Sequence, residues 1–387
     1  DVTLPFIASL VVDYSSRTID NSIAGSYDVD ATSLNWRVMD DLAIRVSEQT
    51  AVKAPDLGDL FLPQITTFST AADPCDYRYR DVGRNPEQRR ANCDAEGIPA
   101  DFISNVVNAT AQGVTGGNPN LINEVADTKS TGLVYQPSWW GDVLFGAASF
   151  AVDYIEIELT DYVTSYSLTQ NMNACYDYDT YPNSQFCDSF SRDAEFQVDD
   201  FATGLINAGL IDFATYVWKA DWAFDVSELA SFVSRENVAM DLGSMAIRYR
   251  ATQEDFFASA DSGAAEDLRS ATGQFGNDEW FYDTQFEWAY QDWYVYVQGN
   301  SRSGGVIDID RVYDDEYLGY DGQPIFEFDG YTSWNGGVGY RVNDGTTLRV
   351  NVSNLFDYDG TEDDIFTPEA DLLFYGRSVT ASMNVRF

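Results

Sequence analysis

The stretch Tyr375–Phe387, Y-G-R-S-V-T-A-S-M-N-V-R-F, limits what this chain can fold into more than any other. Val379, Ala381, Met383, Val385 and Phe387 are apolar, and Ser378, Thr380, Ser382, Asn384 and Arg386 between them are polar. Side chains alternate across a strand, so this segment reads as a β-strand with one apolar and one polar face. A soluble sheet can carry the same alternation. A strand of an outer-membrane barrel also accounts for a bare aromatic as the last residue, with the apolar face in lipid and the polar face toward the lumen.

Charge and composition remove whole classes of function. The 387 residues carry 63 acidic and 22 basic side chains, a formal net charge of -41. Nucleic acid is excluded as a partner, because its backbone is bound by basic surfaces. Aromatics at 15 % are too many for a disordered acidic chain. The absence of histidine excludes Ser-His and Cys-His catalysis, His-ligated zinc and axial His ligation of haem. Cys75, Cys93, Cys175 and Cys187 form two local pairs in loop-like sequence, which points to two disulfides, Cys75–Cys93 and Cys175–Cys187, and an oxidising compartment. A four-thiolate metal site is the rival, but CxxC spacings are absent. No apolar run approaches the ~20 residues of a membrane helix.

Strand signals recur along the chain: 10–19, 31–39, 42–52, 128–136, 143–159, 209–219, 222–235, 279–290, 293–300, 330–342, 346–356 and 375–387. Asp40-Asp41, Pro137–Asp142, Ala220-Asp221, Gln291-Asp292 and Asn343-Asp344-Gly345 read as short turns. Long loops are expected at about 53–126, 160–208, 237–278, 301–328 and 357–374. Short and long connections alternate, the asymmetry of a transmembrane antiparallel barrel with short periplasmic turns and long extracellular loops. Trp36, Trp139, Trp140, Trp218, Trp222, Trp280, Trp288, Tyr290 and Trp293 lie at strand ends, where such barrels carry aromatic girdles.

Val350–Asp357 contains Asn354-Leu355-Phe356-Asp357, which resembles the "NLFD" box of TonB-dependent outer-membrane receptors. It precedes a loop and a closing strand, with Gly376-Arg377 and a terminal Phe387, as in that family. Upstream, Lys53-Ala54-Pro55-Asp56-Leu57-Gly58-Asp59-Leu60-Phe61 is similar to the family's "R-A-P-N-x-x-E-L-F" segment, with Lys53, Asp56 and Asp59 as departures. Asp73-Pro74-Cys75, Asn92-Cys93, Gly117–Leu121 and the Cys175–Cys187 segment continue the pattern in order. The resemblance implies an all-β fold: about 12 C-terminal strands of a barrel of about 22, in the outer membrane of a Gram-negative bacterium. The plug domain and about ten N-terminal strands are then expected outside this chain, on a separate polypeptide or segment pairing with both edges. Asp1–Phe6 starts within strand-like sequence without a signal peptide, which agrees with a C-terminal part.

By resemblance, the function is active uptake of a scarce solute and not enzymatic. The partners are membrane lipid and lipopolysaccharide, a plug contacting a TonB-type energy-coupling protein, and a small-molecule or oligomeric ligand. A passive porin-like channel, a surface adhesion barrel and a soluble acidic all-β binding domain are the alternatives. No cofactor is required. Tyr176, Tyr178 and Tyr181 in one loop, and Asp308, Asp310, Tyr313, Asp314, Asp315, Tyr317 and Tyr320 in another, are the candidate ligand residues. Interleaved rings and carboxylates suit sugar faces and hydroxyls, or calcium through oxygen ligands. On that basis oligosaccharide or peptide ranks above ferric siderophore. Solvated acidic loops are the plainer reading. Arg78, Arg80, Arg84, Arg89 and Arg90 suit an anionic ligand or lipopolysaccharide phosphate, against internal pairing with acids such as Asp81 and Glu87.

Overall fold

The computed structural model describes residues 6–21, 23, 25–141, 145–235, 240–260, 268–274, 276–306, 327–358 and 376–386. Its frame is one antiparallel meander of twelve strands, each paired with the next. They are β1 Ser9–Asn21, β2 Gly25–Met39, β3 Leu42–Lys53, β4 Glu124–Tyr135, β5 Ala147–Ser165, β6 Val198–Asp225, β7 Ser244–Ala260, β8 Trp280–Tyr290, β9 Trp293–Arg302, β10 Tyr331–Asn343, β11 Thr346–Ser353 and β12 Ser378–Val385. The connections carry α1 Leu57–Phe61, α2 Pro86–Glu96, α3 Leu168–Tyr176 and α4 Val226–Ser234. Among the described residues β1 pairs only with β2, and β12 only with β11, so the sheet does not close on itself.

Register turns the alternation into two continuous faces. One runs from Leu10 and Trp36 through Ile44, Leu133, Val152 and Trp218. It continues through Ile247, Phe286, Val297, Val338, Val350 and Ala381. The other face carries Asn35, Arg45, Asp153, Lys219, Arg250, Asp283, Gln298, Asn351 and Thr380. Met383, opposite Leu348, is 66 % exposed on the apolar face. An apolar outer face and a charged inner face is the opposite of a soluble barrel, where charges inside would be costly.

The expected hairpin of 209–219 and 222–235 is not formed. β6 passes straight through Ala220-Asp221, because Asp221 lies on the polar face and accepts bonds of 2.8 and 3.0 Å from Arg250 Nη2. The aspartate of the dipeptide that reads as a turn is therefore half of a cross-strand ion pair. Val226–Ser234 is helix α4, capped by Asp225, whose carboxylate accepts from the Ser227 N–H at 2.7 Å. The stretch 237–278 holds β7 rather than being a loop throughout, and β5 and β6 extend into both ends of 160–208.

At the short-turn end the apolar face carries an aromatic belt. Trp140, Phe145, Trp222 and Phe224 meet with ring centroids 4.5–6.0 Å apart. Trp36, Trp222 and Trp288 donate their indole N–H to the backbone carbonyls of Phe6, Phe145 and Leu242. Each ring is thus apolar toward lipid and satisfied toward the rim. Trp280 and Trp334 mark the other end of that face, Trp280 stacked on Tyr282 and Trp334 edge-on to Phe356. Trp288 and Trp280 are separated by roughly 26 Å of strand, or about 20 Å along the barrel axis at a tilt near 40°. That matches a membrane-height apolar band.

Candidate functional site

β6 has 28 residues, roughly 90 Å of strand, far beyond the ~10 needed to cross a bilayer. Its upper half is a mast for the two long connections 54–123 and 166–197. Ala111–Gly116 joins it in parallel at Ala202–Gly204, and Phe190–Arg192 joins it antiparallel. The tightest packing among the described residues is here, not in the wall. Cys75, Cys93, Ile98, Phe102, Tyr166, Cys175, Tyr176 and Phe186 form one buried cluster.

The base of this subdomain is set by local capping. Asp56 caps α1 through the Asp59 N–H, and Asp59 returns a bond to the Asp56 N–H. The expected "A-P-D-x-x-D-L-F" and "G-N-P-N-L" segments touch: Gly117 N–H donates to Leu62 O at 2.9 Å and Asn118 N–H to Asp59 O at 2.8 Å. A side chain at Gly117 would meet the Leu62 nitrogen at 2.7 Å, so the close approach requires glycine. The two segments together make one joint.

Both expected disulfides are formed, Cys75–Cys93 and Cys175–Cys187, with Cα–Cα distances of 5.7 and 4.8 Å. Each lies within one loop. Beside the shared apolar cluster, charge ties the loops to each other. Arg89 Nε and Nη2 grip Asp177 at 2.5 and 2.6 Å, with both side chains 4 % exposed. Arg89 also donates to Tyr79 O and Asn173 Oδ1. Arg192 forks onto Asp73 at 2.8 Å twice and lies 5.5 Å from the Tyr176 ring centroid. Asn92 donates to the carbonyls of Tyr176 and Tyr178. Burial by itself would raise the Asp76 carboxyl, but bonds from the Arg78 side chain and from the Arg78 and Ser104 N–H groups bring it below the usual carboxylate range.

These contacts decide the sequence candidates. Tyr176 is 1 % exposed, its hydroxyl bonded to Glu96 and to Arg192 Nε; it is a core residue and not a ligand platform. Burial, then the Glu96 charge, pushes the Tyr181 hydroxyl up to about 12, and its ring stacks on Tyr176 at 5.4 Å. Tyr178 is half-buried and its hydroxyl accepts from Arg84 at 2.9 Å. The five arginines are all paired within the subdomain, Arg78 with Asp76, Arg80 with Asp94, Arg89 with Asp177, Arg90 with Asp81 and Arg84 with Tyr178; Arg80 and Arg89 are buried, and the Arg90–Asp81 pair is on the surface. Asp81 is a partner as expected, as are the near acids Asp76 and Asp94, whereas Asp177 comes from the other loop. Asp308, Asp310, Tyr313, Asp314, Asp315, Tyr317 and Tyr320, and Phe387, lie outside the described residues. Among the described residues no acidic or thiol cluster is gathered to hold a metal.

The Asn354–Asp357 box ends β11. Asn354 takes a left-handed backbone, φ 52°, and its side chain holds Tyr358 from both sides, accepting from its N–H and donating to its carbonyl at 2.8 Å each. Leu355 N–H donates to Trp334 O, and Phe356 is exposed beside Trp334. Asp357 accepts from the Arg377 N–H at 2.8 Å, fixing where β12 begins. Below the subdomain the polar face bears Arg45–Asp153 at 2.6 Å, Lys219–Asp153 at 3.7 Å and Arg248–Glu287 at 2.6 Å. A side chain at Gly132 would strike Asp153 Oδ1 at 2.1 Å, so the first pair crosses the strand only over glycine. Sequence reading missed this ladder and the pairs made by Arg192 and Arg89; only the charges at alternate positions hinted at the ladder.

Residues 2–355 match the family model for the TonB-dependent receptor-like β-barrel. The chain belongs to the TonB-dependent receptor family. Its fold is that of solved receptors. A mutant ferric enterobactin receptor from Pseudomonas aeruginosa aligns with a TM-score of 0.58 at 12 % identity, covering 98 % of this chain and 43 % of that one. Another mutant of that receptor, in complex with enterobactin, gives 0.59 and 12 %, covering 98 % and 44 %. The siderophore receptor PirA from Acinetobacter baumannii gives 0.57 and 14 %, again covering 98 % and 44 %. No curated protein sequence matches the chain. The receptor chain thus spans less than half the length of these relatives. A TonB-dependent receptor barrel implies the outer membrane of a Gram-negative bacterium.

Proposed function

We propose that the chain forms the C-terminal half of an energised outer-membrane importer whose solute is a ferric siderophore. A plug and about ten further strands, on another segment or polypeptide, complete the wall at β1 and β12, because an open strand edge in lipid leaves unsatisfied N–H and C=O groups. The observation that carries the reading is the two-faced sheet: an apolar band outside, and an ion-paired inner wall beneath a rigid loop subdomain. Such a wall suits a hydrated, plugged lumen. A TonB-type protein supplies energy through the plug, and lipid and lipopolysaccharide surround the band. The siderophore assignment leans on what the similar receptors are called. It displaces oligosaccharide or peptide, whose case rested on two aromatic acidic loops, one with Tyr176, Tyr178 and Tyr181 and one at 301–328. Calcium in the acidic loop 301–328 stays a proposal with no support from the described residues.

The test is uptake of radiolabelled ferric siderophores by iron-starved cells expressing the whole receptor, with and without TonB and with the proton gradient collapsed. Expected is saturable uptake lost in both of the latter. Uptake that is unsaturable and indifferent to both identifies a passive channel. Energised uptake of oligosaccharide but not of any ferric siderophore refutes the substrate class alone.

A further inference from the structure

α4 sits where this barrel architecture carries short turns. The connection between β6 and β7 instead spans 226–243 and begins with nine helical residues. Val226, Leu229, Ala230 and Val233 recur at i, i+3, i+4 and i+7, with Phe232 beside them, while Ser227, Glu228, Ser231 and Ser234 take the other side. This is an amphipathic helix, yet none of its residues is buried. Phe232 is 58 % and Val233 72 % exposed, and Met240 beyond the helix is exposed as well. Ser231 and Ser234 donate their hydroxyls to the carbonyls of Ser227 and Ala230.

The position of the helix says what its apolar side meets. Phe232 packs on Phe145 at 5.6 Å, and Phe145 packs on Trp222 and Phe224 at 5.4 and 5.3 Å. Trp222 lies in register with Ile247, which is opposite Phe286 on the apolar outer face. The helix therefore flanks the outside of the wall at its aromatic belt, not the lumen. The connection is fastened there: Val226 N–H donates to Gly243 O at 2.8 Å, Leu242 N–H to Ser227 Oγ at 3.2 Å, and Trp288 Nε1 to Leu242 O at 3.0 Å. We infer that α4 is an in-plane membrane helix, with Phe232 and Val233 continuing the lipid-facing belt into the headgroup and acyl boundary of the periplasmic leaflet. Its occupant is phospholipid.

Spin labels on single cysteines test the placement in the whole receptor, reconstituted in vesicles of phosphatidylethanolamine and phosphatidylglycerol. The four cysteines of this chain are all in disulfides, so an added thiol is the free one here. Phe232→Cys and Val233→Cys are compared with Met383→Cys on the barrel wall and Glu228→Cys on the polar side of the helix, using protein that keeps its folded migration in SDS without heating. Expected are ratios of oxygen to water-soluble nickel-chelate collision at 232 and 233 that approach that at 383 and exceed that at 228 several-fold. Ratios at 232 and 233 equal to that at 228, with 383 high, overturn the inference and leave the helix in water. Exclusion of both reagents at 232 and 233 overturns it in favour of a protein cover. A low ratio at 383 overturns the lipid-facing wall and the helix placement together. Phe232→Cys and Val233→Cys report independently, so loss of one in folding leaves the other to decide.

Discussion

Arg89→Met should open the loop subdomain without touching the barrel wall. Each disulfide closes within its own connection, 75–93 and 175–187, so neither joins the two loops covalently. Arg89 joins them non-covalently, from α2 to Asp177 just beyond α3. Methionine keeps most of the volume and removes the charge, leaving Asp177 buried without its fork and Asn173 Oδ1 without the Arg89 donor, while Tyr79 O keeps its bond from the Val82 N–H. Breaking a buried pair on one side costs about 3–5 kcal/mol. At about 1.4 kcal/mol per decade this raises the open fraction of the subdomain roughly a hundred- to a few thousand-fold. Limited proteolysis of the solubilised receptor reads this directly, since cleavage tracks the open population when reclosing is faster than cutting. Fragments should arise within 54–123 and 166–197 while the strands stay intact. Asp177→Leu should behave alike, and the double variant Arg89→Met/Asp177→Leu should recover most of the resistance, because an apolar pair leaves no orphaned charge. Cleavage accelerated less than tenfold in Arg89→Met, or a double variant as fragile as either single one, refutes the reasoning.

Three further outcomes are expected. Met383→Arg should cost more in denaturant unfolding from lipid vesicles than Ser382→Arg, on the polar face opposite Arg349, with about 2–4 kcal/mol, the cost at the bilayer midplane, as the upper bound; equal costs would mean that the register of β12 is wrong. Asn354→Ala should cost about 1–2 kcal/mol through its left-handed backbone, seen as faster tryptic cleavage at Arg377. Asn354→Gly keeps the conformation but loses both bonds to Tyr358, so it should fall between wild type and alanine. Asp76 has its folded pKa held below its ordinary value, so its contribution is full above about pH 4 and is lost as pH falls through the depressed value. Loop protection measured by proteolysis with an acid protease should drop below pH 4 in the wild type and be flatter with pH in Asp76→Asn.

Local chemistry in the chain was enough to predict most of the barrel wall, but not β7 or the course of β6 through Ala220-Asp221. Period-2 alternation in β11 and β12, the Asn343-Asp344-Gly345 turn and the aromatics at strand ends each follow from residues adjacent in sequence, and each matches the structure. The box at Asn354–Asp357 was visible as a pattern, although its reason, a left-handed residue that seats Tyr358 and Arg377, is not. The error at Ala220-Asp221 has the same root. An Ala-Asp dipeptide reads as a turn in isolation, and its aspartate is an ion-pair partner once β7 supplies Arg250. Asp225, Glu228 and the i, i+3, i+4 spacing after them did carry a helix signal, overridden by the β-rich surroundings. The loop subdomain was the least legible part. Asp177 and Arg89 are 88 positions apart, and Asp73 and Arg192 are 119 apart. Nothing near either partner marks it as buried. Charge on a sequence looks solvated, and only the packing of two loops against one long strand withdraws these residues from water. Tyr176 went the same way: its ring and hydroxyl advertise a ligand, and the fold uses both to hold its own core.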